Sequence, residues 1–175
     1  MTLTPPLRKL VLTAHITLAV GWLGSVAGFL ALAVSGLTSP DAQTARAAYL
    51  AMALIARYVI VPLSFAPLLT GPLLSLGTPW GLFRHYWILA KLVITVLCTA
   101  ILLLHMQPIN ALAAAAATGA MAGAELSRMQ VQMVVASAAA LLALLTATAL
   151  GVYKPRGMTA YGWRKQYEGR VGVAP

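Results

Sequence analysis

Long apolar runs separated by short polar breaks organise this chain. Apolar residues dominate about 10–36, 46–76, 86–106 and 130–152. Each run reaches or exceeds the roughly 20 residues an α-helix needs to cross a bilayer. Backbone groups in hydrocarbon must be satisfied within their own segment, so these runs are expected to be helices. The predicted fold class is all-α: a four-helix transmembrane bundle over residues 1–153, then a basic, aromatic tail over 154–175. Thr38-Ser39-Pro40-Asp41 separates the first two runs with helix-start chemistry. Gly77-Thr78-Pro79-Trp80-Gly81 is a sharp break. The third connection, about 107–128, is Ala-rich with Pro108 and Gly119. It is expected to hold a short amphipathic or irregular segment.

The second run is long for one straight span, and Pro62, Pro67 and Pro72 interrupt it. Each proline removes a backbone donor and crowds the preceding turn, so a bent helix is expected. The first run follows Arg8 and Lys9 in the manner of a signal peptide, but it outlasts the roughly 7–15 residues of a signal's apolar core. It reads as a retained helix. Within it, Gly24 and Gly28 form a GxxxG pair, a pattern that lets helices approach closely in lipid.

Composition agrees with the pattern. The chain is 61% hydrophobic and 9% charged, against about 25% charged in soluble domains. Its net charge of +9 does not mark nucleic acid, because the basic residues sit at the ends of the apolar runs. Arg8 and Lys9 precede the first run, Arg84 lies between the second and third, and Lys154, Arg156, Arg164, Lys165 and Arg170 follow the fourth. The opposite connections hold Arg46 and Arg128, each with an acid nearby. The positive-inside rule then places both termini in the cytoplasm of a multi-pass cell-membrane protein. The tail, with Tyr161, Trp163 and Lys165, suits an anionic headgroup surface. One cysteine, Cys98, allows no disulfide within the chain.

Four polar residues inside or near the ends of the runs carry the candidate chemistry: His15, Arg57, Lys91 and His105. The acids, Asp41, Glu125 and Glu168, all fall in connections or the tail. An intramembrane cation without a protein anion points to a ligand as counter-charge; the alternative readings are that Lys91 snorkels to the cytoplasmic surface and Arg57 to the outer headgroups, and that His15 is a neutral imidazole bonded to a neighbouring helix. Lys91, Thr95, Cys98, Leu102 and His105 share one helical stripe, and His15 shares a face with Trp22. Counting helix rise from the terminal side puts His15 level with Lys91, and Arg57 level with His105, Met106, Met129, Gln132 and Met133. Lys91 and His105 stand about 21 Å apart along the helix. His85 reads as interfacial.

Haem b suits two such layers, since it takes an imidazole on iron, an apolar slot and cations for its carboxylates. On this reading His15 is the axial ligand, Lys91 and Arg57 meet carboxylates, Trp22 lines the slot, and His105 is a second ligand in a separate layer. A redox partner or self-association would accompany it. Copper held by His and Met is the alternative metal, and transport of copper or a small anion, or a non-enzymatic accessory role in a larger complex, are the competing functions. No hydrolase triad, phosphate loop or zinc spacing occurs in the sequence.

His15-x6-Trp22-x-Gly24 on the first run and Trp87-x3-Lys91-Leu92 on the third resemble the pattern of the HemJ-type protoporphyrinogen oxidases. The CopD-type copper-resistance membrane domain is similar in its His, Trp and Lys layout. Leu69-Thr70-Gly71, Thr78-Pro79-Trp80-Gly81-Leu82 and Tyr153-Lys154-Pro155-Arg156-Gly157 resemble an uncharacterised family of small integral membrane proteins over nearly the whole chain. The HemJ resemblance implies haem ligation by His15 and an essential role for Lys91. The chain departs from that family after Trp22, where a Leu-Pro-Arg element would stand and Ser25 to Leu32 is plain apolar sequence.

Overall fold

A computed structural model describes residues 4–78 and 81–171, without the side chains of 169–171. Pro79 and Trp80 of the second break, the Arg170 side chain and residues 172–175 lie outside the described residues. The regular elements are helices: α1 (Pro5–Thr38), α2 (Ala42–Ile55), a π-helical turn (Ala56–Ile60), α3 (Val61–Leu76), α4 (Tyr86–Thr118), α5 (Ala124–Tyr153) and α6 (Ala160–Val171). Four are long and apolar enough to cross a membrane, counting α2, the π turn and α3 as one. Side chains such as Leu69, Leu104, Val135 and Leu142 lie on their outer surfaces, where lipid would meet them.

Local chemistry explains the boundaries. Pro5 and Pro6 open α1, where their missing N–H groups have no intrahelical role. The Asp41 carboxylate caps α2, accepting from Gln43 N–H at 3.2 Å, Thr44 N–H at 2.9 Å and the Thr44 hydroxyl at 2.6 Å. Those bonds hold its pKa below the ordinary carboxylate value, the Thr44 hydroxyl contributing most. The π turn lies just before Pro62, which cannot donate back to Tyr58. Val61 N–H bonds instead to Ala56 O, five residues back, and the helix continues through Pro67 and Pro72. The long span is therefore three helical pieces end to end.

α1 packs on α2, α3 and α5, and α4 packs on α2, α3 and α5, which closes a square bundle. Its register is readable from close contacts. A Cβ on Gly36 would meet the Tyr49 ring, one on Gly28 would meet Ile55, one on Gly21 would meet Leu63, and one on Gly71 would meet His15. Arg46 and Ser64 set α2 and α3 against α4, because Arg46 donates to Ala116 O and Ser64 O accepts from Thr99. The close approach of α1 to α2 is at Gly36, where the Tyr49 ring lies on the helix backbone. Gly24, half of the GxxxG pair, has open space around it.

The third connection differs from expectation. α4 runs through Pro108 to Thr118, and only residues 119–123 separate it from α5. Alanine is the best helix former, so the run Ala113–Ala117 favours continuation. Ile109, Leu112 and Ala116 are buried, which adds tertiary support. Arg46 finishes the helix: its Nε donates to Ala116 O at 2.7 Å and its Nη2 to Ala117 O at 3.1 Å. Gly119, at φ +78°, turns the chain in the left-handed region that suits glycine.

The tail is also more ordered than a simple surface extension. Thr159 clamps it to the loop before α4, donating its hydroxyl to Phe83 O at 2.6 Å and its N–H to Arg84 O at 3.0 Å. Tyr86 N–H donates in turn to Gly157 O at 3.4 Å. Gly162 of α6 lies so close over the Arg84 carbonyl that a Cβ there would collide with it. Both described ends of the chain lie at one end of the bundle.

Packing is uneven along the bundle. Phe29, Ala33, Tyr49, Met52, Ile109 and Leu112 build a dense core in the half remote from the termini. A chamber opens in the half nearer the termini, and the candidate site lies there.

Candidate functional site

The site starts with His15 on α1. Its Nδ1 lies 2.7 Å from the Thr70 hydroxyl on α3. Thr70 Oγ1 is also 2.8 Å from Ala66 O, one helical turn back. A carbonyl oxygen only accepts, so the single hydroxyl proton of Thr70 points at Ala66. His15 Nδ1–H must then donate to Thr70. In a neutral imidazole this leaves the lone pair on Nε2, the nitrogen that can bind iron or accept a proton. The prolines of α3 do not disturb this arrangement, and Gly71 leaves room for the ring: a Cβ there would stand 3.6 Å from His15 Cε1.

Lys91 enters the same space from α4. Its Nζ lies against Gly151 of α5, where an added Cβ would approach to 2.8 Å. Thr95 donates its hydroxyl to Lys91 O at 2.7 Å and so keeps its proton inside its own helix. His15 and Lys91 line one chamber of ≈ 290 Å³, with Trp22, Gly71, Thr95 and Gly151 also in its wall. Arg8 and Lys154 line it towards the termini. No aspartate or glutamate is among the lining residues. The expected pairing of His15 with Lys91 at one level is thus present in space as well as in helix count.

The far layer is arranged differently. His105 Nδ1 lies 2.8 Å from Ile101 O, so it carries the proton and donates there. Its Nε2 then accepts from the Gln132 side-chain amide at 3.2 Å. Both ring nitrogens are engaged, unlike those of His15. Arg57 lies in the π turn beside buried Ala56 and is exposed. The α2–α3 register against α4 places it level with His105, but the two face different ways. Met133 is buried in the core, with Met106 and Met129 packed against it.

Trp22 separates two spaces. It lines the His15 chamber and also a second chamber of ≈ 360 Å³ that contains Cys98, Leu102 and His105 in its wall. The stripe expected on the third run therefore does face the interior, with Lys91 and Thr95 on one chamber and Cys98, Leu102 and His105 on the other. Trp22 is 3% exposed, and its Nε1–H has no protein acceptor. Thr70 and Gly151 were not among the expected site residues. Neither shows in a hydropathy pattern, since a hydroxyl and a hydrogen inside apolar runs both read as packing.

Among the described residues, no three His, Cys, Asp or Glu side chains gather to hold a metal ion. The fold and site define a helical protein of membrane-spanning type, with a cationic chamber at the end that holds the termini and no acid among that chamber's lining residues. Comparisons with family models, curated proteins and solved structures find no match for the chain.

Proposed function

We propose that this protein binds haem b in the chamber between His15 and Lys91 and uses it for redox or electron-transfer chemistry. The observation that carries the reading is the tautomer. Thr70 holds His15 so that Nε2 keeps its lone pair in a wall that also offers cations, hydroxyls and apolar groups. An axial ligand to haem needs that lone pair, and haem carboxylates need positive partners. Lys91, with Arg8 and Lys154 nearer the opening, provides them. His105 has its lone pair engaged by Gln132, so His15 is the stronger donor of the two. Haem, when bound, supplies one-electron chemistry. The chain would supply an imidazole nitrogen to hold the iron, the charge for the carboxylates and a largely apolar wall. Arg8, Arg84, Lys154, Arg164 and Lys165 accompany the end with the termini, which supports a cytoplasmic placement of that end.

A second reading rests on the same cations. Three positive side chains without an acid in the wall also suit a small carboxylate or phosphate, bound or passed on by a non-enzymatic subunit. Copper fits less well, because a copper ion takes several His or thiolate donors and His15 stands alone in its chamber.

The absorption spectrum of detergent-purified protein separates the readings. Haem binding predicts a Soret band that disappears in His15→Ala. Colourless protein after expression with haem precursor, or a band untouched by His15→Ala, overturns haem. Gly151→Ala probes Lys91 without removing its charge. The new Cβ would stand 2.8 Å from Nζ, so the flexible ammonium must withdraw by about 1 Å. At an effective dielectric of about 20, a pair at ~4 Å is worth about 4 kcal/mol and at ~5 Å about 3 kcal/mol. Haem affinity should fall about fivefold, with the helix content unchanged.

A further inference from the structure

We propose that the groove between α4 and α5, towards the end remote from the termini, holds one phospholipid with an ethanolamine head. Its ammonium meets Glu125, its phosphate meets Arg128 and a glycerol ester meets Gln132, while one acyl chain runs past Val135 and Ala139. This does not rest on haem occupying the first chamber. Order along one helix face carries the assignment. Glu125, Arg128, Gln132, Val135 and Ala139 follow i, i+3, i+7, i+10, i+14 on α5, a spacing that keeps them on one stripe. All five are exposed. From the start of α5 inward, an acid, a cation, an amide and hydrocarbon succeed one another. A phosphatidylethanolamine inserted from that side presents ammonium, phosphate, ester and chain in the same order. Helix rise puts Arg128 about 4.5 Å beyond Glu125 and Gln132 about 6 Å beyond Arg128, which is the scale of a lipid head.

The groove has two walls around ≈ 710 Å³ of open space, with Arg128, Gln132, Val135 and Ala139 on α5 and His105 on α4. His105 and Gln132 join across it at 3.2 Å. That bond uses one N–H of the Gln132 amide and leaves the second for a guest oxygen. Deeper in, Ala136 and Ala139 belong both to the groove and to the second chamber, so a chain can turn from the groove into apolar space. Burial of that chain gives little selectivity in lipid, because the surroundings are equally apolar. Recognition therefore falls on the polar contacts. Among the described residues the ion pairs are those of Glu168 with Arg164 and Lys165, so Glu125 and Arg128 are not tied to each other. Arg46, by contrast, is committed to the carbonyls of Ala116 and Ala117. The Arg128 guanidinium is left for a phosphate, which it can hold with paired N–H donors. A free fatty acid would answer Arg128 alone and bring a second negative charge towards Glu125. Phosphatidylglycerol would leave Glu125 unmatched. An ethanolamine head answers both signs.

The test uses the purified full chain, reconstituted in nanodiscs with equal phosphatidylethanolamine and phosphatidylglycerol and then released into mild detergent. Native mass spectrometry identifies the lipid that stays bound. The expected result is retained phosphatidylethanolamine, lost in Ala139→Phe, whose ring stands in the path of the chain. Arg128→Gln should lower retention of either lipid about tenfold, the scale of one hydrogen bond to a charged group. Glu125→Gln should abolish the preference for ethanolamine and leave phosphatidylglycerol retention as it was. Both of these side chains are exposed, so these two variants carry the test should Ala139→Phe fail to fold. Lys9→Gln removes a cation at the opposite end and should change nothing. Retention must persist in His15→Ala, which separates this site from the haem proposal. Absent or equal retention of the two lipids by the unaltered protein overturns the proposal. So does retention untouched by Arg128→Gln, or a preference that survives Glu125→Gln.

Discussion

Thr70→Val tests the feature on which the His15 argument turns. Valine keeps the shape of threonine and removes the hydroxyl that accepts from Nδ1–H at 2.7 Å. A net hydrogen bond is worth about 0.5–1.5 kcal/mol, and a half-buried donor left without a partner belongs near the middle of that range. About 1 kcal/mol corresponds to roughly a fivefold change in an equilibrium. The preference for the Nδ1–H tautomer should therefore weaken about fivefold, and global stability should drop by ~1 kcal/mol. The chain has three histidines, so long-range ¹⁵N–¹H spectra of histidine-labelled protein in micelles resolve them individually. In the unaltered protein, His15 and His105 should both show Nδ1 protonated and Nε2 bare. Thr70→Val should shift His15 alone, and Thr70→Ser should restore it. Protonated Nε2 on His15 in the unaltered protein would refute the reasoning, as would a His15 pattern that ignores Thr70→Val.

Two other substitutions reach different parts of the molecule. Gly36→Ala puts a Cβ 2.7 Å from Cζ of the Tyr49 ring, which is 1% exposed and cannot retreat. Overpacking of this kind costs about 1–3 kcal/mol, more than the ~1 kcal/mol that alanine gains in helix propensity, so thermal unfolding in detergent should occur earlier. At the start of α2, the Asp41 pKa is depressed in the folded protein, so its stabilisation is complete above the unfolded value. It is lost as pH falls through the lower folded value, below roughly pH 4. Amide exchange at Gln43 and Thr44 should accelerate on acidification, and Asp41→Ala should show the fast exchange at every pH.

Much of this arrangement is legible in the sequence. Run lengths locate the four spans, and a rise of about 1.5 Å per residue puts His15 beside Lys91. The same count puts Arg57 level with His105, yet it carries no information on direction. Arg57 follows buried Ala56 by one residue, about 100° round the helix, and that step turns it outward. The extension of α4 was hidden because Gln107, Pro108 and Asn110 imitate a break, whereas the alanine run and the burial of Leu112 outweigh them. The needs for glycine at 36, 151 and 162 are tertiary. Each is set by a group from another part of the chain: the Tyr49 ring, the Lys91 ammonium and the Arg84 carbonyl. The clamp at Thr159 was hidden for the same reason, since its partners lie 75 residues or more away in sequence.

The ammonium of Lys91 in an acid-free wall has a bearing on leakage. A chamber inside a membrane bundle is a space that sodium ions and hydronium could enter. A cation ~8 Å from Lys91 meets about 2 kcal/mol of repulsion at an effective dielectric near 20, enough to thin its local concentration roughly thirtyfold. A wall whose charge would favour a negative guest is thereby also one that turns cations away.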